Sequence, residues 1–328
     1  MFFTSSAPHI RTDDSIPKIM WGVVLALTPT CLYSFYVFGW HSVLLMAVCI
    51  ATAVLTEAVI QKLRGVPVTV SDGSAVVMGM LLCCNVPPEI SWWIPVIGTF
   101  VGMAIAKHCF GGLGFNIFNP ALIGRAFLLA AYPKDMTSWK IVGTAHQIDA
   151  TTTATPLGML KEHGMQALLQ QFGGDHIALY KGLFIGNIGG CIGETSAILI
   201  LLGGIYLLWK KIITWHIPVF YLGTLALMSF VLGITPNKGI EWFAGDGLFA
   251  ILSGGAMIGA WFMATDMVTS PIAKKGQIIF AIGCGVITYV IRRYGGYPEG
   301  VSYSILLMNA VVPMIDRYFP NRVFGTKK

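Results

Sequence analysis

The sequence predicts an all-α polytopic membrane protein with about ten transmembrane helices in two inverted repeats of five, with interrupted helices near the midplane. Three observations support this fold class. Hydrophobic residues make up 55% of the 328 residues and charged residues 11%, whereas about 25% of a soluble chain is charged. Apolar runs long enough to cross a hydrocarbon core of roughly 30 Å recur along the chain. The second half of the chain also resembles the first.

The predicted spans are apolar runs of helical length, each bounded by charge, glycine or proline. They cover residues 19–39, 42–61, 73–87, 92–109, 117–132, 182–208, 214–234, 247–263, 277–292 and 301–318. Five spans precede a polar stretch and five follow it. We therefore divide the chain into a first transmembrane repeat (1–132), a loop (133–181) and a second transmembrane repeat (182–328).

Basic residues indicate the orientation of these spans. With the N-terminus inside, thirteen Lys and Arg lie on the cytoplasmic side and seven outside, four of them in the long loop. Cytoplasmic segments are enriched in Lys and Arg, so we expect both termini inside and the loop facing outward. Residues 1–18 contain no apolar signal-peptide core, and we expect the chain to begin near Met1.

The two halves share short motifs. "MGMLLCCNVPP" is echoed by "IGAWFMATDMVTSP", and "HCFGGLGFNIFNPALIG" by "RRYGGYPEGVSYSILLMNA", about 180 to 185 residues later. Since each half holds an odd number of spans, the second copy must be inverted. The short third and eighth spans end in proline-containing segments, which is typical of interrupted helices that form sites near the midplane. Alternatively, their small residues simply pack helices closely.

Three charged residues within or at the edge of spans are candidates for an ion path: Arg125, Glu194 and Asp266. An arginine inside a span is costly, so a partner is expected. Arg125 could instead reach back to the interface. The two carboxylates could instead satisfy backbone groups that are freed at helix breaks.

Other sites are not predicted. The seven cysteines include no CxxC pair and the histidines are irregularly spaced, so we expect no metal site. Basic residues are dispersed, which argues against a nucleic-acid partner. "GGLGFNIF" precedes a membrane span and belongs to no visible βαβ unit, so we expect NAD to bind elsewhere.

The outward loop contains a cluster of threonines, Thr151, Thr152, Thr153 and Thr155. Loop threonines are normally solvated or cap helices. Thr155 precedes Pro156 and "LGMLKE", which predicts a helix N-cap with proline in the first helical position. No catalytic pattern surrounds the cluster.

Three strings resemble the D subunits of Rnf complexes, which are membrane-bound, ion-translocating electron-transport assemblies: "GGLGFNIFNPALIGRAFL", "FMATDMVTSP" and "IRRYGGYPEGVSYSILLMNAVVPMIDRY". The chain is more distantly similar to the B subunits of the sodium-translocating NADH:quinone reductases. The resemblance covers nearly the whole chain. Its length, without a long N-terminal extension, favours the D subunits of Rnf complexes.

The resemblance implies a covalent FMN, joined through its phosphate to a threonine in a Ser/Thr-x-Ala-Thr motif. Here Thr152-Thr153-Ala154-Thr155 matches, with Thr152 where many relatives have serine, so Thr155 is the predicted acceptor. Thr195 in "GETS" is a rival inside a span without the Ala-Thr order. A threonine hydroxyl is a poor nucleophile without a base, and the motif contains none, so we expect a separate flavin transferase as a partner.

The implied function is electron transfer in a ferredoxin:NAD oxidoreductase complex that moves Na⁺ or H⁺ across the bacterial cytoplasmic (inner) membrane. We expect the other members of the complex and membrane lipid as partners, and no catalysis by this chain alone. The resemblance also suggests a second, noncovalent flavin such as riboflavin, at unassigned residues. Arg292 and Arg293, predicted outside, are candidates to bind the FMN phosphate, or else they lie at the interface or contact lipid. The alternative function is a solute channel or transporter without redox chemistry.

Overall fold

All regular secondary structure in the described part of the chain is helical. The structure is a computed structural model that describes residues 14–139, 155–172, 174–186, 189–233, 242–243, 245–296 and 299–320. Three helices are long and apolar enough to cross a membrane by themselves: Ile16–Phe38, Trp40–Leu63 and Lys274–Tyr294. Five shorter apolar helices of 10–17 residues accompany them. The predicted class, an all-helical membrane protein, is confirmed.

The helices follow the predicted spans in order. In the first half they are α1 (Ile16–Phe38), α2 (Trp40–Leu63), α3 (Ser74–Cys84), α4 (Trp93–Val101), which continues as a π-helix (Gly102–His108), and α5 (Pro120–Ala131). Between the halves lie α6 (Pro133–Met136), α7 (Pro156–Gln171) and α8 (His176–Ile185). The second half contains α9 (Ala197–Trp209), α10 (His216–Leu232), α11 (Gly247–Leu252), α12 (Ala256–Ile258), which continues as a π-helix (Gly259–Met263), α13 (Lys274–Tyr294) and α14 (Val301–Tyr318).

The sixth predicted span differs from the structure. The prediction is a continuous span over 182–208, but α8 ends at Ile185 and α9 starts at Ala197, with a 3₁₀ turn at Ile192–Glu194 between them. Gly186 ends α8 at φ +102°, a conformation that glycine adopts without strain. The apolar run is rich in glycine, which favours a break over a continuous helix. The boundary placed between residues 181 and 182 therefore falls inside α8.

The eighth predicted span is interrupted. Helix α11 ends at Leu252, Gly254 and Gly255 have φ of +62° and +66°, and the helix restarts at Ala256. In the corresponding place of the first half, α3 begins after Gly73, whose φ is +81°. The break between α11 and α12 and the start of α3 both leave backbone groups that other parts of the chain must satisfy.

Helices of the two halves pack against each other. Within the halves α2 packs on α3, α4 on α5 and α13 on both α10 and α14, while α1 packs on α9 and α5 on α14 between halves. Small residues permit close approach: a Cβ on Gly203 would lie 2.4 Å from the Ala26 oxygen, and one on Gly124 would lie 2.5 Å from the Gly98 oxygen. Small residues of the sixth and fifth predicted spans therefore permit close helix packing at these two contacts.

Candidate functional site

A cavity of about 350 Å³ lies between α5, the N-terminal end of α7 and the N-terminal end of α14. Its lining combines charged, hydroxyl and aromatic side chains, among them Arg125, Thr155, Glu299, Ser302, Trp139 and Tyr303. We call it the Thr155 pocket. It joins the segment between the two halves to a helix of each half.

Thr155 is the N-cap of α7, as predicted. Its side-chain oxygen accepts a hydrogen bond from the Gly158 N–H at 3.1 Å, and Pro156 follows in the first turn. The residue is 4% exposed and belongs to the lining of the pocket. The other motif residues, Thr152, Thr153 and Ala154, lie outside the described residues.

Helix α7 is held against the second half near this pocket. The Lys161 ammonium donates a hydrogen bond to the Gly295 carbonyl, and Leu157 is buried. Partial burial lowers the pKa of Lys161 from its ordinary value, because burial disfavours the charged form. These contacts position Thr155 beside α14.

Arg125 has the expected partner. Its guanidinium forms an ion pair with Glu299 and also donates to the Asn85 side-chain oxygen at 2.9 Å and to the Ser302 hydroxyl at 2.8 Å. Arg125 is buried, so it does not reach back to the interface. Sequence reasoning missed Glu299, although "YPEGVS" lies in the repeat counterpart of the motif that precedes Arg125.

Glu194 lies next to this ion pair. Cys191 Sγ and carboxylate oxygens of Glu194 and Glu299 are all within 4.8 Å of one another, and the Arg125 guanidinium is 3.8 Å from Cys191 Sγ. Two of the three ion-path candidates, Arg125 and Glu194, are thus brought together in one cluster.

Asp266 occupies a different place. It lines a cavity of about 90 Å³ that also includes Ser74, Lys107 and Asn119. Its carboxylate accepts from the Val268 N–H at 3.4 Å and from the Thr269 hydroxyl at 3.1 Å. These bonds satisfy groups in the turn after the second π-helix, which is the structural role considered for it.

Lys107 is buried, although the orientation argument counted it among the cytoplasmic charges. Its ammonium lies 2.8 Å from a Glu57 carboxylate oxygen and 2.7 Å from the Ser74 hydroxyl. The side chain is 3% exposed and that of Glu57 is 1% exposed. The residue lies in the first π-helix, where it faces the start of α3. The distribution of basic residues along the sequence does not show which of them is buried in an ion pair.

Arg292 and Arg293 bind backbone carbonyls. Arg292 donates to the carbonyls of Ala250, Ser253 and Gly254 at 2.6, 2.8 and 2.9 Å, respectively, at the end of α11. Arg293 donates to the Leu232 carbonyl and, at 2.7 Å, to the Gly233 carbonyl. Both side chains are buried. Neither belongs to the lining of the Thr155 pocket.

Replacing Arg292 by glutamine is expected to lower the thermal stability of the detergent-purified protein by several degrees. Buried carbonyls lose their donors, and each unsatisfied group costs about 1–3 kcal/mol. The matched control is Arg317→Gln, an exposed arginine near the end of α14, which should unfold near the wild-type temperature. Unfolding of Arg292→Gln at the wild-type temperature would show that these bonds do not stabilise the helix break.

The fold and the pocket define the class of protein: an all-helical membrane protein that buries a charged cluster beside a helix-capping threonine. Within that class, the chain belongs to the NQR2, RnfD, RnfE family, whose model matches residues 3–325.

Similar proteins are D subunits of Rnf-type complexes. The chain is 52% identical over 328 residues to the D subunit of the proton-translocating ferredoxin:NAD(+) oxidoreductase complex of Clostridium ljungdahlii, covering 100% of this chain and 97% of that protein. It is 48% identical over 324 residues to the D subunit of the Na(+)-translocating ferredoxin:NAD(+) oxidoreductase complex of Acetobacterium woodii, covering 99% and 95%. It is 42% identical over 334 residues to the D subunit of the ion-translocating oxidoreductase complex of Stutzerimonas stutzeri, covering 95% and 93%.

Proposed function

We propose that this chain is the membrane flavoprotein subunit of an ion-translocating ferredoxin:NAD⁺ oxidoreductase complex and carries electrons through an FMN joined to Thr155. The observation that carries the proposal is the place of Thr155. Its hydroxyl oxygen caps α7 at the wall of a cavity that an arginine and two aromatic side chains also line. Two similar proteins are named as D subunits of ferredoxin:NAD(+) oxidoreductase complexes, which supports the proposed membership of such a complex.

The residues of the Thr155 pocket fit a flavin. Trp139 and Tyr303 offer aromatic faces for a planar ring system, and Leu129 adds apolar surface. A phosphate on Thr155 would lie at the N-terminus of α7, where free N–H groups and the helix dipole favour an anion. When bound, the flavin supplies the electron-transfer chemistry, while the protein positions it and sets its electrostatic surroundings.

The proposed architecture is ten spans in two inverted repeats, with the helix breaks near the midplane. The packing of α1 on α9 and of α5 on α14 supports it, because like helices of two repeats meet across a pseudo-two-fold axis. We propose the bacterial inner membrane as location and the other members of the complex, lipid and a flavin transferase as partners. Glu194, Arg125 and Asp266 remain ion-path candidates, and the second flavin has no assigned residues.

The transported ion is a small monovalent cation. One similar protein is named for protons and another, at nearly the same identity, for sodium.

The covalent flavin is tested on the purified full-length chain. After coexpression with a flavin transferase, the denatured protein should stay yellow and give a fluorescent band on a denaturing gel. Expression without the transferase is the matched control and should give a colourless chain. A colourless chain in both cases would contradict the proposal and favour the solute channel or transporter.

The orientation is tested by a cysteine at Gln147 in the loop. It should react with a membrane-impermeant thiol reagent in intact cells, because residues 133–181 are proposed to face outward. A cysteine at Lys328 should be protected in the same cells. Labelling at Lys328 with protection at Gln147 would reverse the proposed topology.

A further inference from the structure

The Glu194 carboxylate lies just outside the Thr155 pocket, next to that of Glu299. Glu299 lines the pocket, and its side chain is 10% exposed. One of its oxygens pairs with Arg125, while the other, Oε1, is buried without a hydrogen-bond partner. Glu194 is not part of the lining, yet its carboxylate and that of Glu299 have oxygens within 4.8 Å of each other. The Glu299 carboxylate thus connects the pocket to Glu194. One oxygen of this carboxylate has no hydrogen-bond partner.

Glycines make the space for Glu194. A Cβ on Gly255 would lie 2.8 Å from Glu194 Oε1, and a Cβ on Gly190 would lie 3.0 Å from Oε2. The positive φ of Gly255 comes from the break between α11 and α12. The break therefore leaves room for a carboxylate beside the ion pair.

The charges around Glu194 leave it without a direct counter-ion. The titratable groups around it are Cys191 on its own segment, Arg125 of α5, Arg292 of α13 and Glu299 before α14, and Cys84 of α3 packs against the neighbouring Gly193. Arg125 is paired with Glu299, and Arg292 is bonded to carbonyls at the end of α11. Among the described residues, no basic side chain lies within 4 Å of Glu194, and Cys191 Sγ lies within 4.8 Å of a Glu194 carboxylate oxygen.

Electrostatics then divides the roles of the two carboxylates. Two negative charges this close and away from water repel strongly, so further negative charge added nearby raises the proton affinity of the pair. Arg125 stabilises the ionised form of Glu299 directly. Glu194 is therefore the member of the pair that gains and loses a proton.

We propose that Glu194 takes up a proton when an electron arrives in the Thr155 pocket, with Glu299 Oε1 passing that proton from the pocket. This inference rests on the proposed flavin at Thr155. The electron comes from a reduced donor of the iron–sulfur class, and the proton comes from the buffered bulk water, relayed through the pocket, so that no hydroxide is left behind. An O–H bond forms at the Glu194 carboxylate and breaks again when the electron leaves. The proton on Glu194 compensates the negative charge of the added electron, because charges interact strongly where water is scarce.

The test is redox-difference infrared spectroscopy on the full chain with covalent flavin. On reduction, the wild type should gain a C=O band of a protonated carboxyl group that shifts in D₂O. Glu194→Gln should lose this band. Glu162→Gln is the matched control, since Glu162 lines the same pocket but its side chain is 68% exposed, and it should keep the band. An unchanged band in Glu194→Gln would overturn the inference.

The pH dependence of the flavin midpoint potential gives an independent readout. It should be less steep in Glu194→Gln than in the wild type and in Glu162→Gln; equal slopes in all three would overturn the inference. If Glu194→Gln does not fold, Glu194→Asp should keep the carboxyl band at a shifted frequency, and an unshifted band would overturn the inference as well. The flavin content of each sample is measured first, so a chain without covalent flavin contradicts the proposed function separately.

Discussion

Thr155→Ala should abolish covalent flavin attachment completely. The substitution removes the oxygen that would form the phosphoester, while Thr151→Ala and Thr153→Ala leave it in place. In-gel fluorescence and the mass of the denatured chain measure the effect. Fluorescence that survives Thr155→Ala but disappears in Thr195→Ala would place the attachment in the turn before α9 and contradict this assignment.

Two further substitutions separate attachment from helix capping. Thr155 caps α7, and loss of an N-cap costs about 0.5–2 kcal/mol. Thr155→Asn keeps a side-chain acceptor for the cap but cannot carry a phosphoester, so the chain should be stable and, once denatured, colourless. Thr155→Ser keeps both functions and should retain some flavin. A flavin-free Thr155→Ser would mean that the transferase also requires the β-methyl group.

Arg125→Met should destabilise the protein by about 3–5 kcal/mol, because it leaves the buried Glu299 carboxylate without its counter-charge. Glu299→Met should cost a similar amount by leaving the guanidinium unpaired. The double variant should recover much of the loss, since replacing both members of a buried pair by apolar residues is often nearly neutral. Thermal unfolding in detergent measures all three.

An exposed ion pair provides the control for this cycle. The Lys18 ammonium lies 3.8 Å from an Asp14 carboxylate oxygen, and each side chain is 64% exposed. Exposed pairs contribute about 0–1 kcal/mol, so Lys18→Met should unfold near the wild-type temperature. If the losses from Arg125→Met and Glu299→Met simply add in the double variant, the two residues do not stabilise the fold as a pair.

The sequence predicts the long helices well and the breaks less well. Helices α1 and α14 lie close to their predicted spans because charged or glycine-rich segments bound their apolar runs. The prediction for the sixth span is wrong because hydropathy reports transfer into lipid, and the apolar run around Gly186 satisfies that measure whether or not its backbone is helical. Only the glycine content hinted at the break.

The site was predictable where a residue acts through its local sequence. Thr155 was found as an N-cap because the signal lies within the next few residues. Glu299 was missed because it pairs with Arg125 from 174 positions away, and no local pattern encodes that contact. The order of the spans placed Arg292 outside as a candidate for the FMN phosphate, whereas in the structure its side chain is buried and donates to a carbonyl at the end of α11.

The attachment of FMN to Thr155 is tested most directly by peptide mass spectrometry on the full chain, coexpressed with a flavin transferase. Trypsin cleaves after Lys140 and Lys161, which releases residues 141–161 with the whole threonine cluster. This peptide should carry the mass of FMN less one water, and fragmentation should localise the increment to Thr155. An unmodified peptide, or an increment on Thr151, Thr152 or Thr153, would contradict the assignment.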